Sequence, residues 1–303
     1  GAVVSCKGIA EGVENTNYLI IAGAVQKPYI LTVFEHRTNP RDLPFFMGLT
    51  HWLAACGILC PRPMKGRDGR MIYMLEGKPA VLVEFLEGHN SPDITPQHLQ
   101  LVGELMARMH LAAESFPMTR RNTMSFGAWG DLFAEFRYRA DEISPGLEAE
   151  LAAELTWLDR HWPSGLPRGV IHGDVFPDNV FFADSSPLSI SGVIDFYFAC
   201  NDFWMYDLVI CMNAWCFDAG RQFLKARAEA LFAGYTRLRP LTASEIQAMP
   251  VLARGAAMRF IVTRAYDWLN RPADALVIPK DPKEYIAKLR FHQRVTDPAE
   301  YGV

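Results

Sequence analysis

One segment places a carboxylate and a side-chain amide at a spacing that suits phosphoryl transfer. Between apolar runs that begin at Val170 and end at Phe182, a polar stretch contains Asp174 and, five positions later, Asn179. This is the D-x-x-x-x-N spacing of a kinase-type catalytic loop. The aspartate would accept or orient the proton of an attacking hydroxyl, and the asparagine would give a neutral oxygen to a divalent cation. The pattern predicts that Asp174 is a catalytic base and that Asn179 is a metal ligand.

A second carboxylate ends the next apolar run. Asp195 follows Asn179 by sixteen positions and comes directly after the run at 192–194. A carboxylate in this place can hold Mg²⁺ against nucleotide phosphates, so we predict that Asp195 is the second metal ligand. His172, two residues before Asp174, is expected to order the loop by hydrogen bonding rather than to act as the base.

Two kinds of hydrophobic pattern divide the chain. Apolar runs bounded by turn residues predict strands in the first part, where one stretch also has helical spacing. The predicted strands are 18–21, 28–34, 71–75 and 80–86, and the predicted helix lies within 41–57. Helical spacing dominates after Gly88, apart from the stretch around 170–194. We therefore predict an α+β protein with a small N-terminal antiparallel-sheet lobe, 1–87, a larger, mainly helical C-terminal lobe, 88–303, and a ligand cleft between them.

Four residues predict helix features in the C-terminal part. Thr95 is expected to cap a helix, Asp218 to cap a later one, and Thr242 to open the next with a capping box. Pro250 is expected to kink or restart the helix that follows Thr242.

Composition and charge exclude several classes of protein. Of the 303 residues 50% are hydrophobic, the formal net charge is −4, and no basic tract indicates a nucleic-acid partner. No apolar run approaches the roughly 20 residues that span a bilayer. The first seven residues lack a signal-peptide pattern, and the six cysteines lack a metal-binding spacing. We therefore expect a cytoplasmic protein with reduced thiols.

A nucleotide is expected to bind between the two lobes. Segment 8–18 contains two glycines and fits a loop that covers phosphates, with the backbone around Asn15, Thr16 and Asn17 facing them, although a plain hairpin loop fits equally well. The junction near Glu84 and Leu86 would be a hinge, and these two residues are predicted to contact the nucleotide.

Together these residues resemble the aminoglycoside phosphotransferase/choline kinase superfamily, whose members have a protein-kinase-like fold. Segment 101–110, LVGELMARMH, is similar to that superfamily's LG..LA.LH pattern. Within the superfamily the chain looks most like the homoserine kinases of the bacterial kinase-like type. The stretches that carry this resemblance are 14–18, 31–35, 195–202, 206–208, 266–268 and 279–282.

The resemblance implies a two-lobed kinase that uses ATP and Mg²⁺ to phosphorylate L-homoserine in threonine biosynthesis. It implies Asp174 as the base, with Asn179 and Asp195 on the metal. One position departs from the pattern, because Thr32 stands where such enzymes usually carry a phosphate-binding cation, and the helix within 41–57 has no glutamate to pair with one. Lys7, Lys27, Arg37 or Arg41 are candidate replacements, as are backbone amides and the metal itself.

A homoserine zwitterion would need an anion for its ammonium and a cation for its carboxylate. We predict Asp202 and Asp207 for the ammonium and Arg264 for the carboxylate, with Arg259 and Arg271 as alternatives to Arg264.

Other substrates and one other class of protein stay open. Choline or ethanolamine would need an aromatic cage, for which the aromatic residues between 197 and 268 are candidates. An aminoglycoside would need an acidic cleft. A catalytically inactive kinase-like binding protein is the alternative from a different class. A protein kinase is disfavoured, because no activation segment follows Asp195.

Overall fold

The structure, a computed structural model, describes residues 2–9, 15–35, 38–271 and 279–303. Its strands are β1 Val3–Ile9, β2 Asn15–Ala22, β3 Lys27–Phe34, β4 Ile72–Leu75, β5 Lys78–Glu84, β6 Arg168–Ile171, β7 Val180–Phe182, β8 Ile190–Val193 and β9 Cys200–Phe203. Its α-helices are α1 Leu43–Ala55, α2 Pro96–Ala112, α3 Phe126–Phe136, α4 Leu147–His161, α5 Trp204–Trp215, α6 Lys225–Thr236, α7 Ala243–Leu269 and α8 Lys283–His292.

An antiparallel sheet and one helix form the N-terminal part. The sheet has the strand order β1-β2-β3-β5-β4, and its central pairing sets Asn17 opposite Thr32. Helix α1 buries its apolar residues in the same core that holds Phe34 of β3. The rings of Phe34 and Phe46 both contact Tyr197 edge-on, at centroid distances of 5.2 and 5.7 Å. The sheet therefore packs directly against the segment that follows Asp195.

The helical part depends on close contacts between helices. A Cβ atom at Gly103 of α2 would lie 2.0 Å from the carbonyl oxygen of Leu231, and one at Gly234 of α6 would lie 2.0 Å from that of Gln100. Glycine is required at both positions because the two backbones approach so closely. The helices α2 and α6 thus form a close pair, and α5 contacts both of them and α7.

Most element predictions are confirmed, the helix cap predicted at Asp218 is wrong, and of the two outcomes predicted for Pro250 only the kink stays a prediction. Thr95 and Thr242 occupy N-cap positions with capping boxes. Asp218 does not cap α6, which starts at residue 225; instead its side chain accepts a hydrogen bond from the backbone of Gln222 in a preceding turn. Pro250 does not restart a helix, since α7 runs continuously through it. The division at residue 87 falls between β5 and α2, and as a lobe boundary it stays a prediction.

Two short antiparallel pairs carry the catalytic segment. Strand β6 pairs with β9, and β7 pairs with β8. The polar loop between β6 and β7 is therefore anchored in both pairs. Among the described residues, all six cysteines are free, and the described helices include none with the length and hydropathy needed to cross a membrane.

Candidate active site

The loop between β6 and β7 brings Asp174 and Asn179 into direct contact. The side-chain nitrogen of Asn179 donates to the backbone carbonyl of Asp174 at 2.9 Å and to its carboxylate at 3.1 Å. Because the nitrogen is used in this way, the amide oxygen of Asn179 is left as an acceptor for another group. The predicted base and the predicted metal ligand thus form one hydrogen-bonded unit.

Asp174 has an unusual protonation equilibrium. Burial raises the pKa of its carboxyl to about 7, and the nearby carboxylates of Asp195 and Asp178 act in the same direction. Arg259 and Lys280 oppose this shift. A carboxylate that titrates near neutral pH is well matched to accepting a proton from a hydroxyl.

Asp207, on α5, holds the turn that precedes Asp174. Its two carboxylate oxygens accept the backbone N–H groups of His172, at 2.9 Å, and Gly173, at 2.7 Å. The ring of His110 lies 3.0 Å from the oxygen that also accepts from His172. Burial alone would raise the pKa of Asp207, but these contacts outweigh it and lower the pKa below its ordinary value. Asp207 is thus a buried, ionised anchor of the loop.

His172 fixes the same loop from the other side. Its Nδ1 accepts the backbone N–H of Asp174 at 3.2 Å, and its Nε2 lies 3.0 Å from the carbonyl oxygen of Ile194. Only a neutral ring with its proton on Nε2 satisfies both contacts. Burial lowers the pKa of His172, which favours that neutral form. The ring therefore links the loop to the segment that ends in Asp195.

Asn179 and Asp195 lie at the same end of the β7–β8 pair. Val180 pairs with Val193, and the backbone N–H of Ile194 donates to the carbonyl of Asn179 at 2.9 Å. Asp195 adopts a left-handed backbone, φ 64°, which is uncommon for a residue other than glycine. This conformation turns the chain just after β8. The turn lies at the end of the β7–β8 pair where both metal-ligand candidates are found.

The oxygen atoms of this pair suit Mg²⁺ better than a softer metal. A neutral amide oxygen and a carboxylate are hard ligands, and Mg²⁺ in nucleotide sites is commonly held by one or two such groups together with phosphates and water. Within the described parts of the chain, no cluster of three or more histidine, cysteine or carboxylate side chains offers a self-sufficient metal site. The residues present therefore fit a cation that a nucleotide helps to hold.

The predicted phosphate-side residues lie at the start of β2 and contact β3. The hydroxyl of Thr16 donates to Glu35 at 2.9 Å, and the side chain of Asn15 accepts the backbone N–H of Glu35 at 3.4 Å. Asn17 accepts a 2.7 Å hydrogen bond from Thr32, which is 4% exposed. A buried neutral pair thus occupies the expected place of a cation. Residues 10–14 of the predicted loop lie outside the described residues.

One of the cations that could replace the missing phosphate-binding cation at position 32 already pairs with a carboxylate. Lys27 pairs with Glu84 at 3.0 Å, so the predicted hinge residue and one candidate cation hold each other. Lys78, at the start of β5, pairs with Glu35 at 2.5 Å. Arg37 lies outside the described residues. Which group meets the phosphates stays open.

The segment that follows β5 runs beside the metal-ligand candidates. Leu86 packs over β8 so closely that a Cβ atom at Gly192 would lie 2.6 Å from its Cδ1. His89 exchanges backbone hydrogen bonds with Phe182, at 3.1 and 2.9 Å. The backbone of Glu84 donates to Arg62 at 3.0 Å. Glu84 and Leu86 are predicted to contact the nucleotide, and they belong to a segment that packs against the β7–β8 pair.

A cavity of about 410 Å³, here named the polar cavity for the two arginines and the aspartate in its lining, borders the catalytic loop. The residues that line it are Thr38, Asn39, Asp42, Phe46, Arg120, Asn122, Thr123, Met124, Ile171, Gly173, Tyr197, Phe198, Cys200 and Arg259. They come from the start of α1, the segment before α3, the catalytic loop and α7. Gly173 is adjacent in sequence to Asp174, so the cavity reaches the backbone of the catalytic loop.

A sequence-family model described as the phosphotransferase enzyme family matches residues 5–241. The chain belongs to this family. The homoserine kinase of Paramagnetospirillum magneticum is 53% identical to this phosphotransferase over 306 residues, which cover 100% of this chain and 93% of that protein. The homoserine kinase of Rhodospirillum rubrum is 50% identical over 305 residues, with 100% and 93% covered.

Solved structures give the same fold at low sequence identity. A choline kinase from Cryptosporidium parvum aligns with a TM-score of 0.69 and 12% identity, covering 96% of this phosphotransferase and 88% of that chain. A Plasmodium vivax ethanolamine kinase aligns with a TM-score of 0.67 and 15% identity, covering 96% and 83%. These likenesses confirm the predicted two-lobed, protein-kinase-like α+β fold.

The substrate-side residues of this phosphotransferase stay predictions, and the geometry gives each of the three a partner inside the fold. Asp207 is 0% exposed, and its oxygens are taken by the catalytic loop and His110, so it has none to offer an ammonium group. Asp202 is 9% exposed, accepting from Asn122 at 2.7 Å and from the adjacent backbone. Arg264 is 8% exposed and pairs with Glu284 at 2.7 Å. All three already have partners inside the fold.

Sequence reasoning named Arg259 and Tyr197 but missed other residues that line the polar cavity, among them Arg120 and Asp42. Arg120 donates to Asp42 at 2.7 Å and to the carbonyl of Ala199 at 3.1 Å, and so connects α1 to the segment after Asp195. Neither Arg120 nor Asp42 belongs to a motif, and 78 positions separate them in the chain. Only the fold brings them together.

Proposed function

We propose that this chain transfers the γ-phosphoryl group of ATP to the hydroxyl of L-homoserine, giving O-phospho-L-homoserine and ADP, a step of threonine biosynthesis. The observation that carries the proposal is the 53% identity to a homoserine kinase over the full length of this chain. The contact between Asp174 and Asn179, in a loop with the spacing of a phosphotransferase, supports it from the geometry. A cytoplasmic location is part of the same proposal.

In the proposed reaction Asp174 accepts the proton of the substrate hydroxyl. The hydroxyl oxygen forms a new bond to the γ-phosphorus, the bond between that phosphorus and the β–γ bridging oxygen breaks, and ADP leaves with its electron pair. Asn179 and Asp207 act before this step, because one orients the carboxylate and the other fixes the turn that carries it. Catalysis of this kind depends mainly on positioning and on electrostatic stabilisation.

The same proposal names the residues that would bind ATP and its cation. Asn179 and Asp195 would hold Mg²⁺, which neutralises phosphate charge when bound. The backbone around Asn15, Thr16 and Asn17 would cover the phosphates, and the segment near Glu84 and Leu86 would contact the rest of the nucleotide. The contact of Leu86 with Gly192 of β8 supports the role of the segment near Glu84 and Leu86.

The described side chains argue against two of the alternative substrates. Most aromatic residues that could form a choline cage are core residues: Phe203, Trp204, Tyr206 and Trp215 are at most 9% exposed. An aminoglycoside is a polycation, whereas the polar cavity contains two guanidinium groups and, among its described lining residues, a single carboxylate. A zwitterion suits this mixture of charges better than a polycation does.

A coupled ADP-release assay tests the proposal. The purified chain with ATP and Mg²⁺ is offered L-homoserine, choline, ethanolamine and an aminoglycoside in parallel. We expect homoserine to give the highest kcat/KM by a wide margin. Higher kcat/KM for one of the other acceptors would replace homoserine as the substrate, and release with none of them would favour a binding protein without kinase activity.

A further inference from the structure

Arg259 is a buried cation without a carboxylate partner among the residues that the structure describes. It lies on α7 and is 4% exposed. Its Nη1 donates to the carbonyl oxygen of Gly173 at 2.7 Å. On the same helix, Arg254 pairs with Glu154 at 2.6 Å and Arg264 pairs with Glu284 at 2.7 Å. Its charge acts on the nearby carboxyl of Asp174, but no ion pair neutralises it among the described residues. Because burying a guanidinium in this state is costly, its charge is available to an anionic ligand.

The guanidinium group of Arg259 is fixed in place but retains free donors. It lies 5.3 Å from the ring centroid of Phe198 and 4.8 Å from that of Phe260. A guanidinium carries five N–H groups in a planar fork, and the carbonyl of Gly173 takes one of them. Such a fork binds a carboxylate through two parallel hydrogen bonds.

The polar cavity gives an anionic group of a ligand access to Arg259. Arg259 lines this cavity together with Gly173, which directly precedes Asp174. Its described lining residues include neither the metal-ligand candidates Asn179 and Asp195 nor Asp174 itself, and Gly173 is the catalytic-loop residue that it reaches. We assign the cavity to the acceptor, because it borders the loop that holds the base and its lining carries charged groups. Its described carboxylate, Asp42, already pairs with Arg120 and leaves Arg259 for the ligand.

We propose that Arg259 binds the α-carboxylate of the acceptor amino acid and thereby selects an amino acid over an amino alcohol. This inference rests on the proposed function and assigns to Arg259 the role predicted for Arg264. In homoserine three carbon atoms lie between the hydroxyl oxygen and the carboxylate carbon. Arg259 donates to the carbonyl of Gly173, the residue next to Asp174, and the proposal requires a ligand of this length to reach from one side chain to the other.

The test compares two acceptors that differ only in the carboxylate. L-Homoserine and 3-aminopropan-1-ol share the amine and the hydroxyl, and the ratio of their kcat/KM values measures recognition of the carboxylate. Arg259→Gln removes the charge but can still donate to the carbonyl of Gly173, and Arg259→Lys keeps the charge without the fork. The matched control is Arg254→Met, on the same helix but with its own partner, Glu154. Arg264→Met tests the competing assignment of the carboxylate to Arg264, which pairs with Glu284.

We expect Arg259→Gln to lower the homoserine-to-aminopropanol ratio about 100-fold, the loss typical of removing one partner of a buried hydrogen-bonded charge pair. Arg259→Lys should fall between this variant and the wild type, and both Arg254→Met and Arg264→Met should keep the wild-type ratio. Calorimetric titration with homoserine should show the same order of affinities, and melting curves report whether each variant is folded.

Three results would overturn the assignment. An equal loss for both acceptors in Arg259→Gln would mean that Arg259 only positions the loop. A raised KM for ATP with an unchanged acceptor ratio would place it on the phosphates. A changed ratio in Arg264→Met with none in the Arg259 variants would return the carboxylate to Arg264. By contrast, a wild-type chain that phosphorylates neither acceptor would refute the proposed function itself.

Discussion

The carboxylate of Asp207 accepts the backbone N–H of Gly173 at 2.7 Å, so a residue buried in α5 fixes the turn directly before Asp174. The same carboxylate meets the ring of His110, whose other nitrogen lies 2.8 Å from the hydroxyl of Tyr235. A chain of buried polar contacts thus runs from the helical core to the catalytic loop. Such networks are rigid when every member is paired, and costly when one is removed.

Asp207→Asn should therefore loosen the catalytic loop and destabilise the fold. An amide has one acceptor oxygen and would turn a donor towards groups that also donate. We expect the free energy of unfolding to fall by about 2–4 kcal/mol and kcat to fall with it. Denaturant unfolding and steady-state kinetics measure the two effects. Asp159→Asn, an exposed change on α4, is the control and should alter neither; a similar loss in both variants would deny Asp207 a special role.

Asp174→Asn should abolish most turnover while nucleotide binding survives. The amide cannot accept the hydroxyl proton, and general-base catalysis is typically worth about 10²–10⁴-fold. Single-turnover kinetics and a fluorescent-nucleotide titration separate the two properties. The neighbouring carboxylate of Asp178 has a side chain 63% exposed and serves as the matched control, because Asp178→Asn should retain far more activity. Turnover near the wild-type rate in Asp174→Asn would remove the proposed base.

Local patterns predicted the elements and the catalytic loop, because both depend on neighbours in the chain. The spacing from Asp174 to Asn179 is short, and the strands on either side are apolar runs. The anchoring contacts could not be predicted in this way. Asp207 follows Gly173 by 34 positions and His110 by 97, and no sequence rule joins them.

The partners of the predicted substrate-side residues could not be predicted from the sequence for a related reason. The sequence shows that a charged residue lies near the site in the chain. It does not show which other residue pairs with that charge in the folded protein. Arg264 is engaged by Glu284 and Asp202 by Asn122, and those pairings depend on how segments distant in the chain pack together. Arg259 has the same residue type as Arg264 and differs only in lacking such a carboxylate among the described residues.

Asp195→Ala should weaken nucleotide binding in a manner that depends on Mg²⁺. If the carboxylate holds the cation, its loss raises the Mg²⁺ concentration needed for half-maximal ATP binding, while binding measured with EDTA present should be alike in variant and wild type. Isothermal titration at several Mg²⁺ concentrations makes the comparison. Unchanged ATP affinity at limiting Mg²⁺ would contradict the ligand assignment.

His292 should make the fold sensitive to acid. It is fully buried between Asn213, 2.6 Å from its Nε2, and Tyr301, 2.9 Å from its Nδ1. Burial lowers its pKa from 6.5 to about 3. Because the folded-state pKa lies below the unfolded-state value, the stabilisation is fully present above pH 6.5 and is lost as the pH falls towards 3.

As the pH falls from 6.5 to 5, His292 should lower the free energy of unfolding by about 2 kcal/mol, because each pH unit changes it by about 1.4 kcal/mol. His292→Gln lacks the titrating group, so its free energy of unfolding should fall by about 2 kcal/mol less over that interval. Urea titrations at the two pH values test this. His161→Gln, an exposed change, should keep the wild-type dependence, and an unaltered slope in His292→Gln would contradict the buried neutral ring.

The most direct test identifies the product. The purified chain is incubated with ATP, Mg²⁺ and L-homoserine, and phosphorus NMR with mass spectrometry follows the transferred phosphate. We predict O-phospho-L-homoserine in one-to-one ratio with ADP, and none from Asp174→Asn over the same time. ATP consumption without phosphohomoserine, or an equal yield from the variant, would contradict an Asp174-dependent transfer to the homoserine hydroxyl.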